Sequence, residues 1–157
     1  MTRLLGIDLG ERRIGLAVAD DVDGSSAQAH STLKRSPDAG RDAAALAAVI
    51  EANQIDELVV GLPLEASGTE GPQATITRAW AKAMAERLPL PISFRDERLS
   101  SHVAEDRLGP MKRGRSGGPP SRTQRNAYRA RVDREAAAII LQDELDARAA
   151  GRSGPRG

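Results

Sequence analysis

Two short apolar runs, RLLGIDLG (residues 3–10) and RRIGLAVAD (residues 12–20), follow one another with almost nothing between them. Each ends in a turn or polar residue, and the few residues LGER that join them suit a hairpin. Such a pair commits the head of the chain to a sheet. It also poses a problem, because Asp8 lies inside the first run, where an ionised carboxylate is costly without a partner. Strand alternation puts Asp8 on one face with Leu4 and Gly6, opposite Leu5, Ile7 and Leu9. Gly6 is expected to leave room beside the acid, and Gly10 to turn the chain. Asp8 is therefore either a paired structural acid or a group that does chemistry.

A third, weaker strand candidate surrounds HSTLKR (residues 30–35). Beyond it the pattern changes to alternating helices and strands. Residues 38–54 read as a helix capped by Asp38, with Leu46, Val49 and Ile50 at helical spacing. IDELVVGLP (residues 55–63) reads as a strand and LEASGTEG (64–71) as a loop. Residues 72–88 form a helix with Pro72 in its first turn. PLPISFRDERL (89–99) reads as a strand near a sheet edge, since prolines open it. SSHVAEDRLG is a short helix, capped by Ser100 or Ser101 and stopped by Gly109. RVDREAAAIILQDELDARAA (131–150) is a long last helix. Strands first and alternating units afterwards predict a mixed sheet covered by helices. The length predicts one domain over residues 1–150 with a frayed tail at 151–157.

Cysteine is absent and the two histidines, His30 and His102, are far apart, which excludes thiolate metal sites and disfavours a histidine zinc site. A metal here would be hard and held by carboxylates, as Mg²⁺ or Mn²⁺ is. No apolar run approaches the ~18–20 residues of a membrane span, and the first residues lack a signal-peptide pattern. The expectation is a cytoplasmic protein without a membrane partner. Net charge is only +1, but it is unevenly spread. Residues 109–132 hold seven Lys or Arg and no acid; subtracting these from 23 leaves 16 basic residues against 22 acidic ones. With its Gly, Pro and Ser, the segment at about 109–131 is expected to be a mobile basic loop fitted to a polyanion.

Three acids stand out by placement. Asp8 lies in the first strand, Glu97 at the end of the FRDE strand, and Asp133 at the opening of the last helix. Asp133 shares its helix face with Ala136, Ala137, Ile140 and Leu141, the core-facing stripe. Taken singly, Glu97 reads as part of a solvated charge run and Asp133 as a helix N-terminal acid. Taken together, three carboxylates directed at one sheet edge repel each other, and a divalent cation resolves the conflict. Two metal ions about 3.5–4 Å apart can activate water for phosphodiester hydrolysis. Asp20, ending its strand, reads as a turn residue. The glycine-rich stretches GIDLG and VVGLPLEASGTEG, with Gly6, Gly10, Gly61, Pro63 and Gly68, form supporting loops able to present backbone N–H groups to a phosphate. Neither carries the Lys-Ser/Thr ending of a P-loop.

Four blocks in order, GIDLGERRIGLAVAD, VVGLPLEASGTEG, FRDERLSSHVAEDRL and VDREAAAIILQDELD, resemble the YqgF/RuvX family. Its members are described as Holliday junction resolvases and as pre-16S rRNA nucleases. The similarity runs from about Leu4 to Leu145. It implies an α/β, RNase H-like fold, a mixed five-stranded sheet with helices on both faces. It implies that Asp8, Glu97 and Asp133 are catalytic, metal-binding acids, with Mg²⁺ or Mn²⁺, two ions, as cofactor. The sequence has Leu-Ser-Ser at 99–101 where the family more often has Leu-Thr-Thr; Ser100 keeps the hydroxyl. Cations around the site, Arg12, Arg13, Lys112, Arg113, Arg115, Arg122 and Arg125, are expected to contact nucleic acid.

The implied substrate is the 5′ end of pre-16S rRNA, with branched DNA as the alternative. The protein is expected as a monomer or homodimer; symmetric junction resolution needs two copies. Two rival classes are weaker. GIDLG also resembles the first phosphate loop of the actin/Hsp70/sugar-kinase ATPases, but those duplicate the domain. A non-catalytic nucleic-acid binder would not need all three acids.

Overall fold

The computed structural model describes residues 1–97, 100–114 and 116–152. Strands β1 (Arg3–Leu9), β2 (Arg13–Asp20) and β3 (Gln28–Lys34) come first. Helix α1 (Ala39–Asn53), β4 (Glu57–Pro63), α2 (Pro72–Arg87) and β5 (Ile92–Glu97) alternate after them, followed by α3 (Ser100–Leu108) and α4 (Arg122–Arg152). The sheet order is β3-β2-β1-β4-β5. β1, β2 and β3 pair antiparallel, while β4 and β5 lie parallel to β1. The prolines that open β5 sit at an edge, as the sequence leads one to expect.

Alternation divides the sheet into two apolar faces. Leu5, Ile7, Ile14, Leu16, Leu58 and Val60 bury against Leu46 of α1 and Trp80, Ala81 and Met84 of α2. Leu4, Ala17, Val59 and Ala19 bury against Ala137, Ala138, Ile140 and Leu141 of α4. Small residues dominate the second face, so α4 lies close to the sheet. A Cβ on Gly6 would stand 2.8 Å from Leu141 Cβ and 2.9 Å from the Ala137 carbonyl oxygen. Gly6 therefore admits the helix; the open space expected beside Asp8 is filled by α4.

The N-cap of α1 is as expected, with Asp38 accepting from the Gly40 N–H at 2.9 Å, and Pro72 opens α2. One buried acid outside the site is structural. Asp42 is 2% exposed and accepts from the Ser36 N–H at 2.8 Å and from Trp80 Nε1–H at 3.1 Å. Truncation to alanine orphans both donors, so Asp42→Ala should cost about 2–3 kcal/mol of unfolding free energy, measured in urea.

Helix α4 differs from expectation at its start. It begins at Arg122 instead of near residue 131, so the second half of the basic segment is helical. The reason is a capping box. Ser121 Oγ accepts from the Gln124 N–H at 3.1 Å, and Gln124 Oε1 accepts from the Ser121 N–H at 2.7 Å. Val132, Ala136 and Ile139 then pack on Ala104 of α3, joined by Leu108 and Tyr128. The helix continues through Arg152, so Gly151 and Arg152 are helical where the frayed tail at 151–157 is expected to begin, because Arg152 is held by Asp21 and Asp23; residues 153–157 lie outside the described residues. Among the described residues no helix is long and apolar enough to cross a membrane.

Candidate active site

β1, β4 and β5 run parallel, and two of the three singled-out acids end such strands: Asp8 near the end of β1 and Glu97 at the end of β5. The register keeps them on one face. Asp8 stands opposite Gly15, Gly6 beside Val59, and Gly61 beside Arg95, with Pro63 beside Glu97. That is the face α4 covers. The carboxyl ends of parallel strands are where open α/β sheets place their ligands.

Glycine makes the approach possible. A Cβ on Gly15 would stand 2.0 Å from the Asp133 carbonyl oxygen, so only glycine lets α4 cross β2 beside Asp8. A Cβ on Gly61 would stand 2.7 Å from Glu97 Oε2 and 2.5 Å from Ile140 Cδ1. Gly61 lies in β4, as the strand pattern of residues 55–63 predicts, and supports the site there by accommodating the Glu97 carboxylate, not as part of a phosphate loop. Gly15 carries no motif that marks it in the sequence. Its signal is a glycine directly opposite a strand acid.

Asp8 is 7% exposed. Burial pushes its carboxyl well above the usual carboxylate range, and the facing charges of Glu97 and Asp133 push it further, as does a hydrogen bond to Glu97. Both causes act in one direction, since a buried acid facing like charges is harder to ionise. Burial also raises Asp133; the hydrogen bond and charge of Arg13, with the charge of Arg129, oppose that rise. The contact is direct: Arg13 Nε–H donates to Asp133 Oδ2 at 2.7 Å.

Asp133 does not open its helix. It lies well inside α4, so the favourable helix-terminus field expected there is absent, and Arg13 supplies the balancing charge. Asp20 is at the opposite end of the sheet, paired with Arg3 at 3.8 Å and aligned with it in register. Gly10 turns the hairpin, its N–H donating to the Arg13 carbonyl at 2.8 Å. Gly68, at φ +88°, turns the loop after β4.

The cations expected to meet nucleic acid separate into groups. Arg13 is occupied by Asp133, while Arg12 is exposed on the hairpin tip. Arg113 and Arg125 donate to the carbonyls of Gly117 and Pro120, which folds the segment before α4 onto itself. Lys112 and Arg122 are exposed, and Arg115 lies outside the described residues. Arg129 was not singled out, yet it lines both cavities beside Asp133. One, of about 380 Å³, has Met111, Tyr128 and Val132 as apolar walls. The other, of about 480 Å³, runs along Gly10, Arg12 and Asn126.

Among the described residues, no three acids or histidines are gathered tightly enough to hold a metal ion. The donor chemistry nonetheless fits a hard cation. Asp8 is buried facing the charges of Glu97 and Asp133, and only Asp133 has an arginine partner, so a divalent ion would offset the mutual repulsion of the three carboxylates.

Residues 2–147 match the family described as "RuvX: Holliday junction resolvase". The chain belongs to the RuvX family. A relative from Anaeromyxobacter dehalogenans, named "Putative pre-16S rRNA nuclease", is 46% identical over 147 residues, which cover 94% of this chain and 98% of that one. A relative of the same name from Syntrophomonas wolfei is 39% identical over 150 residues, covering 96% and 98%. Among solved structures, Thermus thermophilus RuvC superposes with a TM-score of 0.52 at 16% identity, covering 94% of this chain and 96% of that one. The same RuvC in complex with a Holliday junction superposes at 0.50 and 19% identity, with 95% and 96% covered. These likenesses show the RNase H-like resolvase fold for this RuvX family member, as the sequence resemblance implies.

Proposed function

We propose that this RuvX family chain is a divalent-metal-dependent nuclease that hydrolyses phosphodiester bonds of structured RNA, with the 5′ end of pre-16S rRNA as substrate. The observation that carries the reading is that buried Asp8 is faced by Glu97, each near the carboxyl end of a parallel strand, and by Asp133 of α4. The names of relatives at 39–46% identity support the RNA assignment. The family description keeps branched DNA as the second reading.

Asp8, Glu97 and Asp133 would hold Mg²⁺ or Mn²⁺; when bound, the ion activates water and stabilises charge on the phosphate. Asp8, which holds its proton to higher pH than an ordinary carboxyl, would have to be ionised to serve as a ligand. Asp133 would share its carboxylate between the ion and Arg13, which donates to Oδ2. Arg13 and Arg129 lie beside Asp133 and would meet the phosphate backbone of the bound strand. Exposed Lys112 and Arg122 would steer the polyanion towards the site.

Purified protein should be assayed on a pre-16S leader RNA, a four-way DNA junction and single-stranded DNA, each with Mn²⁺ or EDTA. Cleavage of the leader with Mn²⁺ and none in EDTA is expected. Cleavage of the junction but not the leader moves the assignment to DNA; no cleavage of any substrate overturns it.

A further inference from the structure

The β1–β2 hairpin tip has a cavity on each side. On the α4 side lies the groove of Arg12, Asn126, Arg129 and Asp133. On the α1/α2 side lies a larger groove, of about 520 Å³, which the nuclease reading leaves unused. Arg12, Lys34 and Arg35 line it, above an apolar floor of Pro37, Ile76 and Trp80. Glu11 and Arg12 belong to both cavities, so the two grooves meet at the tip.

The charge of this groove is not neutralised internally. Arg12, Lys34 and Arg35 make no ion pair among the described residues. The groove has two acids. Glu11 is exposed, while Asp42 is buried and taken by Ser36 and Trp80. The far end of the molecule differs, since Arg148 and Arg152 are paired there with Asp21, Asp23, Glu57 and Glu144. Arg12 and Lys34 therefore have no acid to neutralise at the site end, and Arg35 meets only a backbone carbonyl there.

The groove is also pre-built. Arg35 Nη1–H donates to the Gly10 carbonyl at 2.9 Å, and the Arg35 N–H donates to the Arg12 carbonyl at 2.9 Å. On the other side Arg13 holds Asp133. The tip is thus clamped from both faces, and Lys34 pairs with Arg13 in register at its flank. Ile76 is 44% exposed on the floor, an apolar surface for a sugar or base beside the phosphate-binding cations.

We propose that this groove is a subsite for the phosphodiester backbone of the strand flanking the cleaved bond, which leaves the carboxylates by crossing the β1–β2 tip. The proposal rests on the nucleic-acid substrate of the preceding section, and it assigns Lys34 and Arg35 as backbone contacts.

The test is binding of fluorescently labelled leader RNA in EDTA, by anisotropy. It compares wild type, Lys34→Glu, Lys34→Arg and the control Lys82→Glu, an exposed cation on α2 outside the groove. Lys34→Glu should weaken binding roughly tenfold and flatten the salt dependence of log Kd by about one unit, while Lys34→Arg keeps wild-type affinity. Lys82→Glu should change Kd less than about twofold. Equal effects of Lys34→Glu and Lys82→Glu overturn the groove alone. RNA binding that depends on Lys34 without any cleavage sinks the nuclease reading and leaves the groove standing. A wild type that binds no RNA overturns both.

Discussion

Asp8→Asn should abolish cleavage, by roughly 10³-fold or more, and yet make the metal-free protein more stable. Both effects come from one carboxylate. In the folded protein Asp8 is buried and faces Glu97 and Asp133, which holds its proton on to higher pH than in the unfolded chain. The sign follows from proton linkage. Below the unfolded pKa of an aspartate, about 3.9, Asp8 is protonated in both states and carries no penalty. As pH rises from there through the raised folded value, the folded state keeps a proton that the unfolded state has released, and stability falls. Asparagine is neutral throughout and its amide can donate to Glu97. In EDTA the variant should therefore melt above wild type at pH 7, with the gap closing by about pH 3.5. Mn²⁺ should raise the melting temperature of wild type and not of Asp8→Asn. Urea or thermal melts across pH, with and without Mn²⁺, check this; a gap independent of pH would show that burial and the facing acids do not raise the Asp8 carboxyl.

Gly15→Val should be the most damaging change away from the acids. A Cβ at residue 15 would meet the Asp133 carbonyl oxygen at 2.0 Å and its carbonyl carbon at 2.2 Å, both backbone atoms of a packed helix. No rotamer change relieves such a clash. Either β2 sinks or α4 lifts, and α4 is the main cover of the Leu4, Ala17 and Val59 face. The expected cost is more than about 3 kcal/mol, a drop in melting temperature of roughly 10 °C. Cleavage by the remaining folded protein should also fall, because lifting α4 carries Asp133 away from Asp8. Gly24→Ala is the comparison. Gly24 has φ +85° and nothing within 4 Å of its would-be Cβ, so it should cost only about 1 kcal/mol, through backbone strain. Similar losses for the two variants would refute the close-approach account.

The parts of this structure that local chemistry dictates are readable in the sequence. The hairpin, the face shared by Leu4, Gly6 and Asp8, the Asp38 cap and the edge position of β5 all follow from alternation, capping and proline rules. The stripe of Ala136, Ala137, Ile140 and Leu141 is buried as its spacing demands. The start of α4 escaped because Ser121 and Gln124 sit among Gly, Pro and Arg, where composition suggests a loop and the first turns lack an apolar stripe. The S-x-x-Q capping box was the local signal, and packing on α3 completes the helix. The Arg13–Asp133 pair had no such signal. Its partners are 120 residues apart, and only the placement of α4 over β2 brings them together.

That separation also sets when the site can exist during synthesis. Asp8 comes from the first strand and Asp133 from the last helix, so no early fragment of the chain contains both. The sheet and the α1/α2 layer can form while α4 is still being made, leaving the Leu4, Ala17 and Val59 face bare. Contacts between elements so distant in sequence form late and carry the largest loop-closure cost. The capping box then matters in time as well as in stability, because it lets α4 become helical locally before it finds the sheet. Asp8 and Asp133 therefore meet only when the last helix docks, and the same docking covers an apolar surface on which an unfinished chain would aggregate.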